Sequence, residues 1–206
     1  MILRYKISHI LSHLSITFIP RACLGKLTKG QNMIQKLSHT PIKSSAGQGK
    51  NMIRVCFVCH GNICRSTMAQ YIAQHLVTQF GMESNFYIDS AATSREEIGN
   101  PVHYGTRRKL EAEGIFCGDH RARQLKKSDY DEFDFLIGMD TQNIRNMYRI
   151  LGEDPEQKVY KLLDFTERKG DIADPWYTGN FDLTYRDVLD GCRGLLKFIE
   201  EQEDFM

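Results

Sequence analysis

Val-Cys-Phe-Val-Cys-His-Gly-Asn-Ile-Cys-Arg-Ser, residues 55–66, passes from an apolar run through a glycine turn to an arginine and a serine. Ile53–Cys59 is rich in β-branched and apolar residues, as a strand buried on both faces requires. Ser66–Phe80 carries Met68, Ile72, Leu76, Val77 and Phe80 at helical spacing, with Gly81 as a stop. The stretch is therefore a strand, a tight turn and a helix. Its three cysteines admit three chemistries. A redox pair Cys56-x-x-Cys59 would place Cys56 inside the strand rather than at a helix start, where it reads better as a small core residue. A zinc site built on Cys59, His60 and Cys64 lacks a second ligand pair downstream.

The third chemistry uses every residue of the turn. Consecutive amides of a turn that enters a helix converge on one point, and the helix N-terminus adds positive potential; this is a nest for a phosphate. Gly61 and Asn62 are residue types that tolerate left-handed backbone angles. Cys59 stands at the base of the nest, where its thiolate is stabilised, and Ser66 can donate a hydroxyl to it. Arg65 can bracket a phosphate with parallel hydrogen bonds. A thiolate that attacks phosphorus also needs an acid for the leaving oxygen. Asp174-Pro175-Trp176-Tyr177 offers one, with two aromatic side chains to wall a cleft.

Outward from this stretch the chain alternates strand and helix. Strands are expected at Phe86–Ala92, Phe133–Met139 and Val159–Phe165. Helices are expected at Val102–Glu113, at Thr141–Leu151 with Thr141 or Asp140 as cap, and at Tyr185–Glu201. Such alternation gives an α/β fold, a parallel sheet with helices on both faces, and ligands beyond the carboxyl ends of its strands.

Charge divides the 206 residues in two. Of the 27 basic residues eight lie in 1–51, which has no acidic residue; the 19 that remain face 26 acidic ones, a balance of −7. Residues 52–206 thus form an acidic domain, which excludes a nucleic-acid phosphate backbone as partner. Residues 1–51 are a basic extension, disordered or preceding a natural start at Met52, with Lys43–Lys50 as a flexible linker. Arg4, Lys6 and apolar Ile7–Ile19 also have some signal-peptide character, and the acid-free, Ser-rich composition suits a transit peptide. No apolar run reaches the roughly 18 residues of a membrane span. Six scattered cysteines, Cys23, Cys56, Cys59, Cys64, Cys117 and Cys192, fit reduced thiols in the cytoplasm better than a disulfide scaffold.

Val58-Cys59-His60-Gly61-Asn62-Ile63-Cys64-Arg65-Ser66, Ile88-Asp89-Ser90-Ala91, Met139-Asp140 and Asp174-Pro175-Trp176-Tyr177 together closely resemble the low-molecular-weight protein tyrosine phosphatases. The likeness spans Met52 to about Ile199. It implies a three-layer, flavodoxin-like sandwich around a four-stranded parallel sheet, and neither metal nor cofactor. It implies transfer through a phosphocysteine, with Cys59 as nucleophile, Arg65 as phosphate clamp and Asp174 as acid and then base. His60, Gly61, Asn62, Ile63, Cys64 and Ser66 would hold the phosphate, Trp176 and Tyr177 the ring, and Asn62, Ser90 and His103 would support the loop. In the family the second cysteine, here Cys64, can pair with the nucleophile and protect it from oxidation. The substrates implied are phosphotyrosine proteins or small aryl phosphates.

One residue and one segment depart from the pattern. His60 stands where the family usually has leucine, and Ser94–Ile98 lacks the aromatic residue that many eukaryotic members pack on the substrate ring, so one wall of the cleft should be polar. Three rival readings remain beside the phosphotyrosine one. Arsenate reductases share the fold but use further cysteines, and Cys117 and Cys192 are isolated. Protein-arginine phosphatases tend to carry threonine where Ile63 stands. A silent phosphopeptide-binding relative would have lost Cys59, Arg65 or Asp174.

Overall fold

The structure, a computed structural model, describes residues 52–203. The basic extension 1–51 and its linker lie outside the described residues. Four strands, β1 (Ile53–Cys59), β2 (Phe86–Ala92), β3 (Phe135–Gly138) and β4 (Val159–Lys161), form one parallel sheet in the order β2-β1-β3-β4. Among the described residues six α-helices accompany them: α1 (Arg65–Gln79), α2 (Tyr104–Ala112), α3 (Asp129–Glu132), α4 (Thr141–Leu151), α5 (Pro175–Thr178) and α6 (Phe181–Glu203). Successive strand residues face opposite sides of the sheet. Cys56 and Val58 of β1 pack with Leu136, Tyr130, Met147 and Leu151 on the side of α3 and α4. The alternate residues Phe57 and Ile137 are buried on the other side, where α1 and α6 bury Met68, Ile72, Val188, Cys192 and Leu195. Cys192 Sγ reaches the Ala69 carbonyl at 3.7 Å and so marks the α1–α6 contact. The result is the expected three-layer α/β arrangement, in which central strand β1 is covered on both faces. No helix among the described residues is long and apolar enough to cross a membrane.

The first two strands and the helix Thr141–Leu151 lie where the sequence places them. Elsewhere local capping moves the boundaries. The fourth strand ends at Lys161 rather than Phe165. Asp164 turns back to accept the Lys161 N–H at 3.3 Å, and Leu162–Phe165 closes into a 3₁₀ turn that buries Leu162 and Leu163. The third strand starts at Phe135 because Phe133 N–H is still held by the Asp129 carbonyl at the end of α3. The last helix begins at Phe181, four residues before the expected start, since the Asn180 side chain accepts the Leu183 N–H. Helix α2 begins at Tyr104 because His103 caps it.

The 3₁₀ turn fits only because α6 presents glycines to it. A Cβ on Gly194 would lie 2.2 Å from the Phe165 carbonyl oxygen, and one on Gly191 would lie 2.5 Å from Leu162 Cγ. Glycine inside a helix normally costs about 0.5–1 kcal/mol relative to alanine. At Gly194 the sign reverses: Gly194→Ala should destabilise the protein by about 1–3 kcal/mol, the scale of overpacking. Urea unfolding would check this, and an unchanged or raised midpoint would refute the packing argument.

Candidate active site

The site lies at the carboxyl ends of the strands, as a parallel sheet dictates. Cys59 ends β1, residues 60–64 form a loop, and α1 starts at Arg65. The loop's carbonyls are turned outward. Those of Cys59, His60 and Ile63 accept the N–H groups of Thr93, Ser94 and His103, at 2.8, 3.0 and 2.9 Å. The Asn62 carbonyl meets His120 Nε2 at 2.9 Å. Because the carbonyl and N–H of one planar peptide point in opposite directions, the amides that follow these carbonyls face the interior of the loop. The nest is thus enforced from outside.

Asn62 is the pivot of the loop. It is buried, has a left-handed φ of 59°, and donates its own N–H to Cys59 Sγ at 3.3 Å. Its Oδ1 accepts the Arg123 backbone N–H at 3.0 Å. A backbone N–H can only donate, so this contact fixes which end of the amide is oxygen. Nδ2 then donates to Ser66 Oγ at 3.0 Å and to Ser90 Oγ at 2.8 Å. Ser90 passes its own hydrogen to Gln70 Oε1 at 2.6 Å. With Asn62 presenting a donor to Ser66 Oγ, the Ser66 hydrogen is free for Cys59 Sγ, 3.0 Å away, and it is Ser66 that donates when the sulfur is a thiolate. Gly61 serves differently from the sequence expectation. Its φ is not left-handed; what it supplies is clearance, because a Cβ there would stand 3.0 Å from Glu97 Cγ.

Arg65 is 3 % exposed and bound on one side only. Nη1 donates to Asp140 Oδ2 at 2.5 Å and to the Ile172 carbonyl at 3.1 Å, and Nη2 is paired with Asp174 Oδ2. Nε is buried without a partner. Burial works against the Arg65 charge, but Cys59 and the Asp174 and Asp140 carboxylates outweigh it and hold the guanidinium pKa above its ordinary value. Asp174 caps α5, its Oδ1 accepting the Trp176 N–H at 3.1 Å. One arginine therefore joins the acid-bearing loop to the cysteine loop across 109 residues of chain. Cys64 is buried beside them, and its thiol is pushed up to about 12 by burial and by the neighbouring Cys59.

Of the aromatic pair, Trp176 lines a cavity of about 440 Å³ with Ile63, Pro101, Val102, His103 and Arg107 among its other walls. Tyr177 is 83 % exposed and does not line it. The His103 side chain does not hydrogen-bond to the loop. Its Nδ1 accepts the Gly105 N–H, and its ring stacks on Phe181 and meets Trp176 edge-on; only its backbone N–H reaches the loop. The imidazole that does support the loop is that of His120, which the sequence reading missed; Asp140 enters that reading as a helix cap and as part of the Met139-Asp140 strand end, without a role toward Arg65. The single signal for Asp140 was a carboxylate at the end of a central strand, and none pointed to His120. His60 Nε2 meets Glu96 Oε2 at 2.9 Å, so the two departures from the family pattern touch.

A turn of inward amides with a cysteine at its base and a buried arginine, set at the end of a parallel sheet, is suited to hold a phosphate. The sequence profile described as low molecular weight phosphotyrosine protein phosphatase matches residues 54–204. The low molecular weight protein-tyrosine-phosphatase YfkJ of Bacillus subtilis is 40% identical over 154 residues, covering 74% of this chain and 99% of that protein. Its crystal structure superposes with a TM-score of 0.72. The human low molecular weight phosphotyrosine protein phosphatase is 36% identical, covering 69% of this chain and 93% of its own length. A Drosophila arginine phosphatase structure has a TM-score of 0.64 at 28% identity, covering 71% of this chain and 98% of its own. The chain belongs to the low molecular weight phosphotyrosine protein phosphatase family, and it is an enzyme of the phosphatase class.

The Asn62 geometry carries a stability consequence. Asn62→Ala leaves Ser66, Ser90 and the Arg123 N–H short of a buried partner and keeps a Cβ in the left-handed region. A loss of about 1–3 kcal/mol is expected, the scale of a buried polar group left unmade. Denaturant titration would check it, and a midpoint equal to wild type would refute it.

Proposed function

We propose that this phosphatase hydrolyses phosphate monoesters of tyrosine and of small aryl groups in two steps through a phosphocysteine. Cys59 Sγ attacks phosphorus and the bond from phosphorus to the aryl oxygen breaks. Asp174 gives its proton to the departing oxygen. In the second step the Asp174 carboxylate takes a proton from water, the water oxygen attacks phosphorus, and the S–P bond breaks to restore the thiolate and release phosphate. The inward amides of residues 60–64 and Arg65 hold the phosphoryl oxygens. Arg65 Nε is the donor without a partner, and an incoming dianion competes with Asp174 for Nη2, so substrate binding would release the acid for its task. The observation that carries this reading is the Arg65 fork, which brings Asp174 to the loop where Asn62 N–H and Ser66 hydroxyl address the Cys59 sulfur.

The apolar wall of Ile63, Val102 and Trp176 supports an aryl leaving group. Ile63 offers no hydroxyl to a guanidinium, which favours tyrosine over arginine phosphate. Five unpaired cysteines among the described residues suit a reducing compartment such as the cytoplasm. Under peroxide, Cys59 and Cys64 would lose two hydrogens to form a disulfide, with peroxide reduced to water. A Cys64→Ser variant should then recover less activity than wild type after peroxide followed by thiol reductant; equal recovery would remove the protective role.

Turnover of phosphotyrosine, phosphoserine and phosphoarginine peptides tests the substrate reading, which requires the first to be preferred; preference for phosphoarginine would overturn it. Cys59→Ser should abolish turnover and still bind inorganic phosphate in a calorimeter. Asp174→Ala should slow hydrolysis of an alkyl phosphate roughly 10²–10⁴-fold, the scale of general acid catalysis, and p-nitrophenyl phosphate much less. Equal, small effects on both esters would exclude Asp174 as the acid.

A further inference from the structure

Residues 120–125 run as an extended strap behind the phosphate loop. Its main chain is laced to the end of β2, because Ala92 N–H donates to the Arg123 carbonyl at 2.7 Å and Leu125 N–H donates to the Ala92 carbonyl at 2.8 Å. From this strap come two of the contacts that hold Asn62: the His120 imidazole on its carbonyl and the Arg123 N–H on its Oδ1. The Arg123 side chain turns away from the loop into a two-carboxylate clamp. Nε and Nη2 lie 2.9 and 2.8 Å from Asp89 Oδ2 on β2, and Nη1 lies 2.9 Å from Asp129 Oδ2 at the start of α3. Asp129 Oδ2 also accepts the Lys126 N–H, which closes the strap on itself. No step of the proposed chemistry uses this clamp.

We propose that Arg123 is a positioning residue for the reaction, acting through Asn62 on the Cys59 sulfur. Its side chain fixes the strap, and the strap presents the Arg123 N–H at one place. That N–H dictates the orientation of the Asn62 amide. The amide, by donating to Ser66 Oγ, leaves the Ser66 hydrogen only the sulfur to address. If the strap moves or the amide turns over, Ser66 would instead donate to an amide oxygen, and the sulfur would lose one of its two hydrogen bonds. Lysine cannot replace Arg123, since a single ammonium cannot reproduce a planar fork that spans two carboxylates.

This inference rests on the phosphatase reading for its meaning but not for its test. In Arg123→Lys, kcat for p-nitrophenyl phosphate should fall about 10–100-fold with KM changed far less, as a small displacement of reacting groups produces. The rate at which iodoacetate alkylates Cys59 should fall with it. In an Asn62→Ala background the same substitution should change neither quantity by more than roughly twofold, because residues acting in series are not additive. A folded Arg123→Lys protein with wild-type kcat and alkylation rate overturns the proposal, even if its melting temperature drops. So does a full Arg123→Lys effect that persists in Asn62→Ala. Arg123→Met leaves two carboxylates unpaired; if it does not fold, the lysine variant and the double variant decide. If the wild type hydrolyses no aryl phosphate, the functional reading fails while the alkylation rates still judge Arg123.

Discussion

The site depends on keeping five outward carbonyls occupied. Peptide amides do not face a common point by preference, since the arrangement places like dipoles side by side and asks one residue to adopt a left-handed backbone. In this protein the carbonyls of Cys59, His60, Asn62 and Ile63 are each satisfied by a donor from another segment, and that of Cys64 by Met68 and Thr67 within the first turn of α1. The donors come from the chain after β2, the approach to α2 and the strap at 120–125. All of these outside donors lie in the one long connection between β2 and β3, so that connection is committed to the cysteine loop.

Electrostatics points the same way. The loop concentrates positive potential from its amides, from the α1 terminus and from Arg65, and the buried cation would be costly if it stood alone. Asp140 and Asp174 offset that cost from two different connections, at the ends of β3 and before α5. Because Arg65 Nε is not involved, the balance leaves one donor for an anion while the rest of the guanidinium is fixed in orientation. The same ion pairs that stabilise the arginine also bring Asp174 to the side of the molecule that holds Cys59, so the packing of the fold and the layout of the site draw on one set of contacts.

How much of this was legible beforehand follows from the range of each interaction. The loop was readable because its constraints are local: a buried strand, a residue that tolerates positive φ, an arginine and serine at a helix start. Strands β1 and β2 and helix α4 were readable because period and caps agree over their whole length. The contribution of His120 and Arg123 was not, since it consists of contacts between residues 58 and 61 positions apart in a segment with no periodicity. His103 does hold the loop, but through its backbone N–H on the Ile63 carbonyl, while its ring contacts Phe181 and Trp176, a division that residue type alone does not reveal. The fourth strand was overextended because an apolar run such as Leu162-Leu163 looks the same whether it extends or turns inward, and the outcome is decided by glycines on α6 some 30 residues later.

The pairing of His60 with Glu96 shows how a departure from pattern can be internally consistent. The two satisfy each other at 2.9 Å across 36 residues of sequence. Side-chain exposures of 47 % and 72 % limit what the pair adds to stability, since solvent-exposed ion pairs contribute about 0–1 kcal/mol. Its effect must then lie in the surface it presents. An apolar wall ranks ligands by area, whereas a hydrogen-bonded imidazole and carboxylate also rank them by charge. His60 and Glu96 do not themselves line the cavity of Ile63, Val102 and Trp176; the carboxylate among its walls is that of the next residue, Glu97, which faces the apolar side with Asn100 and Arg107. The cavity therefore combines apolar area from Ile63, Val102 and Trp176 with charge from Glu97 and Arg107, so charge as well as apolar area decides what fits it.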